Sequence, residues 1–480
     1  MLSSNSRIKR VRAAAIDGRT SNWRFVQSQL KVLHQSLLDS REEILDVVAS
    51  TPFTTEAEAE VEYYMTIATV SEHYDGINFD QAIDDEYKIA RGENNIERRV
   101  GYGVVVVRPT SHTRFYSIIS AVACAIAAGN TFVVECDECA VDGLLPSLFQ
   151  SLDEELYALS KGPLNDKEVL STALIIDQTG KKEAANLIRS LPCLRSIAVV
   201  DRTADVDKAA EQILSAHLAF SGQSPHAPDL IILNEWVKNT FIDTIIRKTM
   251  GLNRDKDLRH IDIKDIEEGK LIEEAESKDE ATLIKGEGFY IIDVHQRSSS
   301  LATMRGNGQC LTLLTVASLS DAVIAASNTP EYLVAYHFAE PAAGKFLSQQ
   351  IDSCWSFVNC IPAELLVGPA LPHRQDGLSL RLRYTKEMMS KPRPELIESI
   401  ESFGFELKDF TNPTSSKLQA FRERESQPLR ETGQGPGTAI GFFEQGIIVG
   451  ALFIVLPVIS LVGYSGWRIL WHFAGGASEL

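Results

Sequence analysis

The 480-residue chain is 44% hydrophobic, 23% charged and 8% aromatic, which is enough apolar mass for sizeable cores and excludes a disordered or collagen-like polymer. With 47 Lys+Arg against 65 Asp+Glu the net charge is -18, which repels a phosphate backbone and argues against nucleic acid as a partner. Seven cysteines, unevenly spread, do not make a disulfide framework and fit a reducing compartment.

At the start of the chain, Arg7, Lys9, Arg10 and Arg12 precede the first acid, Asp17. No apolar stretch follows, so a secretory signal is excluded; an ordinary solvated terminus and a mitochondrial presequence both remain open. After Ser21, read as an N-cap, Val26, Leu30, Leu33, Leu37, Ile44, Val47 and Val48 recur at helical spacing and predict one long amphipathic helix. The run Gly103-Val104-Val105-Val106-Val107 predicts a strand buried on both faces, 117–128 a small-residue helix closed by Gly129, and Thr131-Phe132-Val133-Val134 a second strand. Further apolar runs at 173–176, 197–200 and 230–233, separated by helical patterns, extend this to an open α/β sheet. Strands at 312–316 and 333–336 predict a second lobe, and the highly charged 255–285 reads as a solvated helical segment.

The stretch 412–440 is rich in Ser, Pro, Gly and Gln and reads as a flexible tether. Residues 445–467 carry no charged side chain, and as a helix they would reach ~35 Å, enough to cross a hydrocarbon core of ~30 Å. Tyr464, Trp467, Arg468 and Trp471 stand where an interface anchor would lie. Little follows the span, so the expectation is insertion after synthesis, with the main domain cytosolic. The endoplasmic reticulum is the first candidate address, ahead of the mitochondrial outer membrane or the peroxisome.

Several fragments, in order, resemble the aldehyde dehydrogenase superfamily, in particular its class 3 or fatty-aldehyde branch. They are Ala127-Ala128-Gly129-Asn130 before a strand, Ala204-Asp205-Val206-Asp207 with Ala209-Ala210, and Ser221-Gly222-Gln223-Ser224-Pro225-His226-Ala227-Pro228-Asp229. The resemblance implies a cofactor domain, a catalytic domain and an oligomerising β-arm acting on an aldehyde with NAD(P). In that chemistry a cysteine thiolate attacks the carbonyl, hydride passes to the nicotinamide, and a glutamate activates water.

Measured against that pattern, the chain departs at each reactive position. The family nucleophile falls on Pro225, which has neither a thiol nor the backbone N–H that the family aims at the oxyanion. Neighbouring Ser224, Gln223 and His226 are pocket candidates, as is His112, which stands at the family's second oxyanion donor and can still donate one hydrogen bond. The family's ribose-binding lysine becomes Glu135 in Glu135-Cys136-Asp137-Glu138, which would repel a 2′-phosphate and favours NAD over NADP. Ahead of Ala204-Asp205 there is no room for the family's pyrophosphate loop and general-base strand; Gly180, in Gln178-Thr179-Gly180-Lys181-Lys182, reads as a plain turn. The nicotinamide-ribose motif appears as Arg305-Gly306-Asn307-Gly308-Gln309, leaving Arg305 as the other cofactor candidate.

Cys136-Asp137-Glu138-Cys139 lacks a second pair to complete a zinc set, Cys354 and Cys360 read as structural, and no metal site is expected. Gly101-Tyr102-Gly103 precedes a strand, the wrong context for a dinucleotide fingerprint. The sequence therefore predicts an α/β protein with an aldehyde dehydrogenase-like two-lobed fold, open parallel sheets and one C-terminal transmembrane helix. Its parts are an N-terminal helical part of the cofactor domain (1–100), a shortened α/β cofactor domain (101–215), a catalytic-type domain with the arm (216–410), a linker (411–444), the span (445–467) and a tail (468–480). Functionally it reads as a membrane-anchored pseudoenzyme without catalytic cysteine or glutamate, acting as a scaffold, as a homo-oligomer or as partner to an active relative. The alternative is an active NAD-dependent enzyme oxidising a lipid-derived or biosynthetic aldehyde, with Cys310 or Cys360 reaching the pocket.

Overall fold

The structure, a computed structural model, describes residues 4–181, 184–250, 269–285, 290–305, 310–373, 379–397, 406–430 and 442–475. Residues 1–398 and 399–480 are two compact units, taken separately below.

The larger unit is built on two parallel sheets. In the first, the strands lie in the order Tyr157–Lys161, Thr131–Cys136, Val104–Arg108, Leu174–Asp177, Leu187–Arg189, all parallel. Val104 to Val107 are buried on both faces, which explains an unbroken β-branched run instead of an alternating one. One face is covered by the helix Arg114–Ala127, buried along its whole length. Behind it lie the helices Trp23–Asp39, Arg41–Ala49 and Glu56–Asp75, which contribute Leu30, Leu33, Leu37 and Val70 to the same core. Fully burying each of those leucines contributes roughly 1.5–3 kcal/mol.

The opposite face is closed by the basic N-terminal stretch. Residues Ser4–Asp17 are a helix whose Ile8 and Val11 pack with Val104, Val106 and Val133, so the expected solvated terminus is a structural element. Its apolar positions at i and i+3 were obscured by the basic residues between them. The next helix also differs from expectation. Asn22, not Ser21, is its cap, accepting from the Arg24 and Phe25 N–H groups at 2.9 and 3.4 Å, and the long helix is broken at Ser40 into two.

The second sheet has seven strands in the order Ser353–Val358, Tyr332–Phe338, Ser196–Val200, Leu230–Asn234, Cys310–Val316, Tyr290–Val294, Ala281–Lys285. Only the last is antiparallel to its neighbour. Alternate residues feed two cores, Ile197 and Val199 one way and Ala198 and Val200 the other. The strand Ser196–Val200 and the helix Val206–Leu218 thus belong to this sheet, so the change of sheet falls between Arg189 and Ser196 instead of at the expected 215/216 border. A βα repeat carries no mark of which sheet a strand will join. In the charged stretch 255–285 the described part is the helix Gly269–Ser277 followed by the edge strand Ala281–Lys285; 255–268 lie outside the described residues.

A short antiparallel ribbon, Arg99–Gly101 with Ser390–Pro392, also belongs to this unit. In the second unit, Ser415–Glu425 is an exposed helix within the expected tether, whose glycine-rich 433–437 lies outside the described residues. Phe442–Gly475 is one helix, and its Gln445–Ile469 part, of mean hydropathy 2.6, is long and apolar enough to cross a membrane.

Candidate functional site

In an open parallel sheet, ligands collect beyond the carboxyl ends of the strands, where the strand order reverses. Here that point lies between Val104–Arg108 and Leu174–Asp177. A cavity of about 1080 Å³ opens there, with walls from the loop after the first of these strands (Pro109 to Phe115), from Thr179 and Lys181 after the other, and from the second lobe.

Gln178, fully buried, stitches the crevice between the two strands. Its side-chain oxygen accepts the Thr110 N–H at 3.0 Å, and its amide donates to the Ser117 carbonyl at 2.8 Å and to the Tyr384 hydroxyl at 3.1 Å. Only residues 178–186 link Asp177 to Leu187, and no helix is described within them. Parallel neighbours usually need a helical crossover. Among the described residues of this connection there is therefore no helix N-terminus to face a pyrophosphate. Gly180 lies in a left-handed turn (φ 72°), with the Ser190 carbonyl 2.9 Å from where a Cβ would be, so it serves chain reversal; Lys182 is outside the described residues.

Glu135 is not in the cavity wall. It is locked in a buried pair with Arg108, whose Nε lies 3.0 Å from each carboxylate oxygen, and it also accepts the Leu164 N–H at 2.9 Å. Arg305 does line the cavity. Its guanidinium donates to the carbonyls of Pro192 and Ser224 and lies 3.6 Å from Asp229, a carboxyl that burial pushes up to about 6 against the pull of Arg305. Residues 306–309 of its motif are outside the described set.

His112 lines the cavity with Phe220 edge-on against its ring, the centroids 5.4 Å apart. Its Nε2 lies 2.8 Å from the Leu366 carbonyl, which can only accept, so that nitrogen holds the proton and spends it on Leu366. Burial lowers its pKa to about 4. The neutral ring's other nitrogen can only accept, and the expected donation to an oxyanion is therefore closed.

Pro225 and Gln223 line the cavity, while Ser224 and His226 are buried behind it. His226 Nε2 accepts the Leu371 N–H at 3.2 Å, and the Ser224 hydroxyl accepts the His226 backbone N–H at 3.3 Å. Neither ring nitrogen is bonded to that hydroxyl, so the two do not form a nucleophile–base dyad. Burial, with the Arg383 charge next, holds His226 well below the usual imidazole range. The turn leading here is strained: Phe220, Ser221 and Gly222 all have positive φ, at 50°, 52° and 72°.

Four solved or curated proteins set these features in context. A substrate-bound Staphylococcus aureus AldH superposes with a TM-score of 0.66 at 18% identity, over 88% of this chain and all of that one. The NADP-complexed glyceraldehyde-3-phosphate dehydrogenase of Methanocaldococcus jannaschii gives 0.60 at 15% identity, over 82% and 94%. The chain has an aldehyde dehydrogenase fold. Its sequence resembles that superfamily too, being 26% identical over 267 residues to the dimeric NADP-preferring aldehyde dehydrogenase of Rattus norvegicus and over 268 to that of Mus musculus. Those matches cover 51% of this chain and 58% of each relative, so the chain spans little more than half the length of the curated relatives it matches. No family model matches it.

On this aldehyde dehydrogenase fold, the cavity holds two groups that sequence reasoning did not place there. Thiols line it, but they are Cys139 and Cys193; Cys310 is buried at a strand start and Cys360 is exposed elsewhere. Cys139 stands beside Asp142, and burial pushes its thiol up from the ordinary value. The second group is Glu62, almost fully buried, which accepts the Tyr116 N–H at 3.0 Å in the first turn of Arg114–Ala127. It takes over the capping that Thr113 does not supply, and burial pushes its carboxyl up to about 7. A signal existed: Ala59, Glu62, Tyr63, Thr66 and Val70 form one inward stripe at 3–4 spacing, with a glutamate inside it.

Proposed function

We propose that this protein is a membrane-anchored aldehyde dehydrogenase-like pseudoenzyme that keeps the fold and its cavity as a binding and assembly scaffold. One observation carries the reading: Pro225 occupies the cavity wall where the resemblance puts the attacking cysteine, and the Ser224–His226 pair beside it is not wired for attack. The cofactor side agrees. Gln178 stitches the crevice, Glu135 is consumed by Arg108, and the described residues of the 178–186 crossover form no helix to cover a pyrophosphate. The rodent relatives prefer NADP by name, whereas Glu135 here is neutralised by Arg108 away from the cavity wall and sets no charge against a 2′-phosphate, so the preference for NAD expected from the sequence loses its basis.

Assembly with itself or with an active relative is supported by the 99–101/390–392 ribbon and by the exposed Ile96, Leu396 and Ile397 beside it. The apolar Gln445–Ile469 helix supports membrane anchoring, and the endoplasmic reticulum is the first membrane at which to look for a fluorescent fusion.

Cys139 and Cys193 favour a second reading, NAD-dependent oxidation of a lipid-derived or biosynthetic aldehyde through a relocated thiol. Full-length protein in detergent separates the two, using calorimetry with NAD⁺ and NADP⁺ and reduced-dinucleotide production from short- and long-chain aldehydes. The scaffold reading expects neither binding nor turnover. Turnover abolished by thiol alkylation, and by Cys139→Ser or Cys193→Ser, would replace it with the enzyme.

A further inference from the structure

Away from the cavity, three segments bring together a donor set that the sequence scatters. Glu331 immediately precedes the strand Tyr332–Phe338, Cys354 lies in the adjacent strand Ser353–Val358, and His373 comes from the chain that follows the cavity wall at Pro369 and Ala370. His373 Nε2 is 3.0 Å from one Glu331 oxygen, Cys354 Sγ is 3.7 Å from the other, and the ligand atoms of all three residues lie within 4.8 Å of one another. All three side chains are half-buried.

We propose that Glu331, Cys354 and His373 form a binding site for one zinc-class divalent cation. Around an ion bonded at roughly 2.0–2.3 Å to oxygen, nitrogen and sulfur, tetrahedral donors sit about 3–4 Å apart. The cluster needs only slight adjustment to meet that geometry. Thiolate and imidazole select zinc over magnesium, calcium or manganese. The balance of charge is also right. Binding releases the Cys354 thiol proton and the proton on His373 Nε2 if the ring is charged; the thiolate and the Glu331 carboxylate then neutralise the 2+ ion, and water takes the fourth position.

The site would act on the fold, tying two strands of the seven-stranded sheet to a segment anchored elsewhere. The His373 backbone N–H donates to the Arg189 carbonyl at 2.8 Å, in the last strand of the first sheet, while Leu371, two residues earlier, donates to His226 behind the cavity. A cation here would therefore fix the wall that carries Pro369 and Ala370. This inference stands whether or not the protein turns over an aldehyde.

The test uses full-length, untagged protein in detergent, reduced and stripped by a chelator, then titrated with Co(II) and back-titrated with Zn(II). One equivalent of Co(II) should give a thiolate-to-cobalt charge-transfer band with tetrahedral visible bands, both erased by zinc. The Cys354→Ser variant should lose the charge-transfer band and His373→Gln should weaken binding by at least about 10-fold, while Cys139→Ser/Cys193→Ser keeps the band. Zinc should also protect Cys354 of the unmodified protein from iodoacetamide, read by peptide mass mapping, which holds even if a variant fails to fold. No band in the wild type, a band that survives Cys354→Ser, or equal alkylation of Cys354 with and without zinc would leave only a hydrogen-bonded acid–imidazole–thiol cluster and overturn the site.

Discussion

Glu62 gives the sharpest quantitative test. Its carboxyl is almost fully buried beneath the start of the Arg114–Ala127 helix, and burial raises its pKa from 4.5 to about 7 despite the backbone N–H groups of Tyr116 and Phe115. The native state therefore holds this proton more tightly than the unfolded chain does. Below 4.5 both states carry it; as pH rises through 7 the unfolded chain has already released it, and the stability that the neutral form confers is lost. At about 1.36 kcal/mol per pH unit, the loss between the two values is about 3 kcal/mol. Glu62→Gln keeps an oxygen for the Tyr116 N–H but does not titrate. His73, His112 and His337, each lowered to about 4 with burial as the leading cause, act in the opposite direction: their contribution is lost as pH falls below 6.5. They are common to both proteins and cancel in the difference. Denaturant unfolding of wild type and variant from about pH 5 to about pH 8 should show the wild type losing about 2.5 kcal/mol relative to the variant, the rest of the loss falling below pH 5. Parallel pH profiles would refute the burial argument.

Other substitutions probe the same framework. Arg108→Met or Glu135→Leu alone should destabilise by about 3–5 kcal/mol in denaturant melts, since each strands a buried charge, whereas the double variant should be nearly neutral; additive losses would show that the pair is not coupled. Gly368→Ala should cost more than about 1 kcal/mol, because φ there is 96° and a Cβ would stand 2.6 Å from the Tyr116 ring; an unchanged melting temperature would contradict this close approach. Asn22→Ala should cost about 1 kcal/mol, with Ser21→Ala silent, which distinguishes the observed cap from its neighbour.

What the sequence revealed follows from which signals are local. The Val104–Arg108 strand was legible because burial on both faces demands an unbroken apolar run, and the membrane-competent helix Gln445–Ile469 was legible because its long uncharged run is a purely local signal. The N-terminal helix was missed because Ile8 and Val11 are few among basic residues and find their partners in strands about a hundred positions away. The strands Tyr157–Lys161 and Ser353–Val358 were missed for a related reason: edge positions mix polar with apolar residues. At the site, Pro225 was visible because a proline is informative wherever it stands. Cys193 was not, because membership of a cavity wall depends on which loops meet in space.

The cavity's own wiring bears on the proposal that this fold keeps such a space without a reactive centre. His112 spends its only donor on Leu366, Arg114 is held by Asp142 at 2.6 and 2.7 Å, Arg305 is bonded to two carbonyls, and Glu62 caps a helix. Each group is occupied in holding a wall, and a group so engaged can change its partner during a reaction only by giving up wall stability. A catalytic centre requires donors preorganised toward the reacting atom, and here the donors are turned into the frame. That arrangement preserves a shaped volume, in a chain that also carries a membrane-competent helix, while removing the electrostatics for charge development. It favours a protein that holds something over one that transforms it, unless Cys139 or Cys193 supplies its own chemistry.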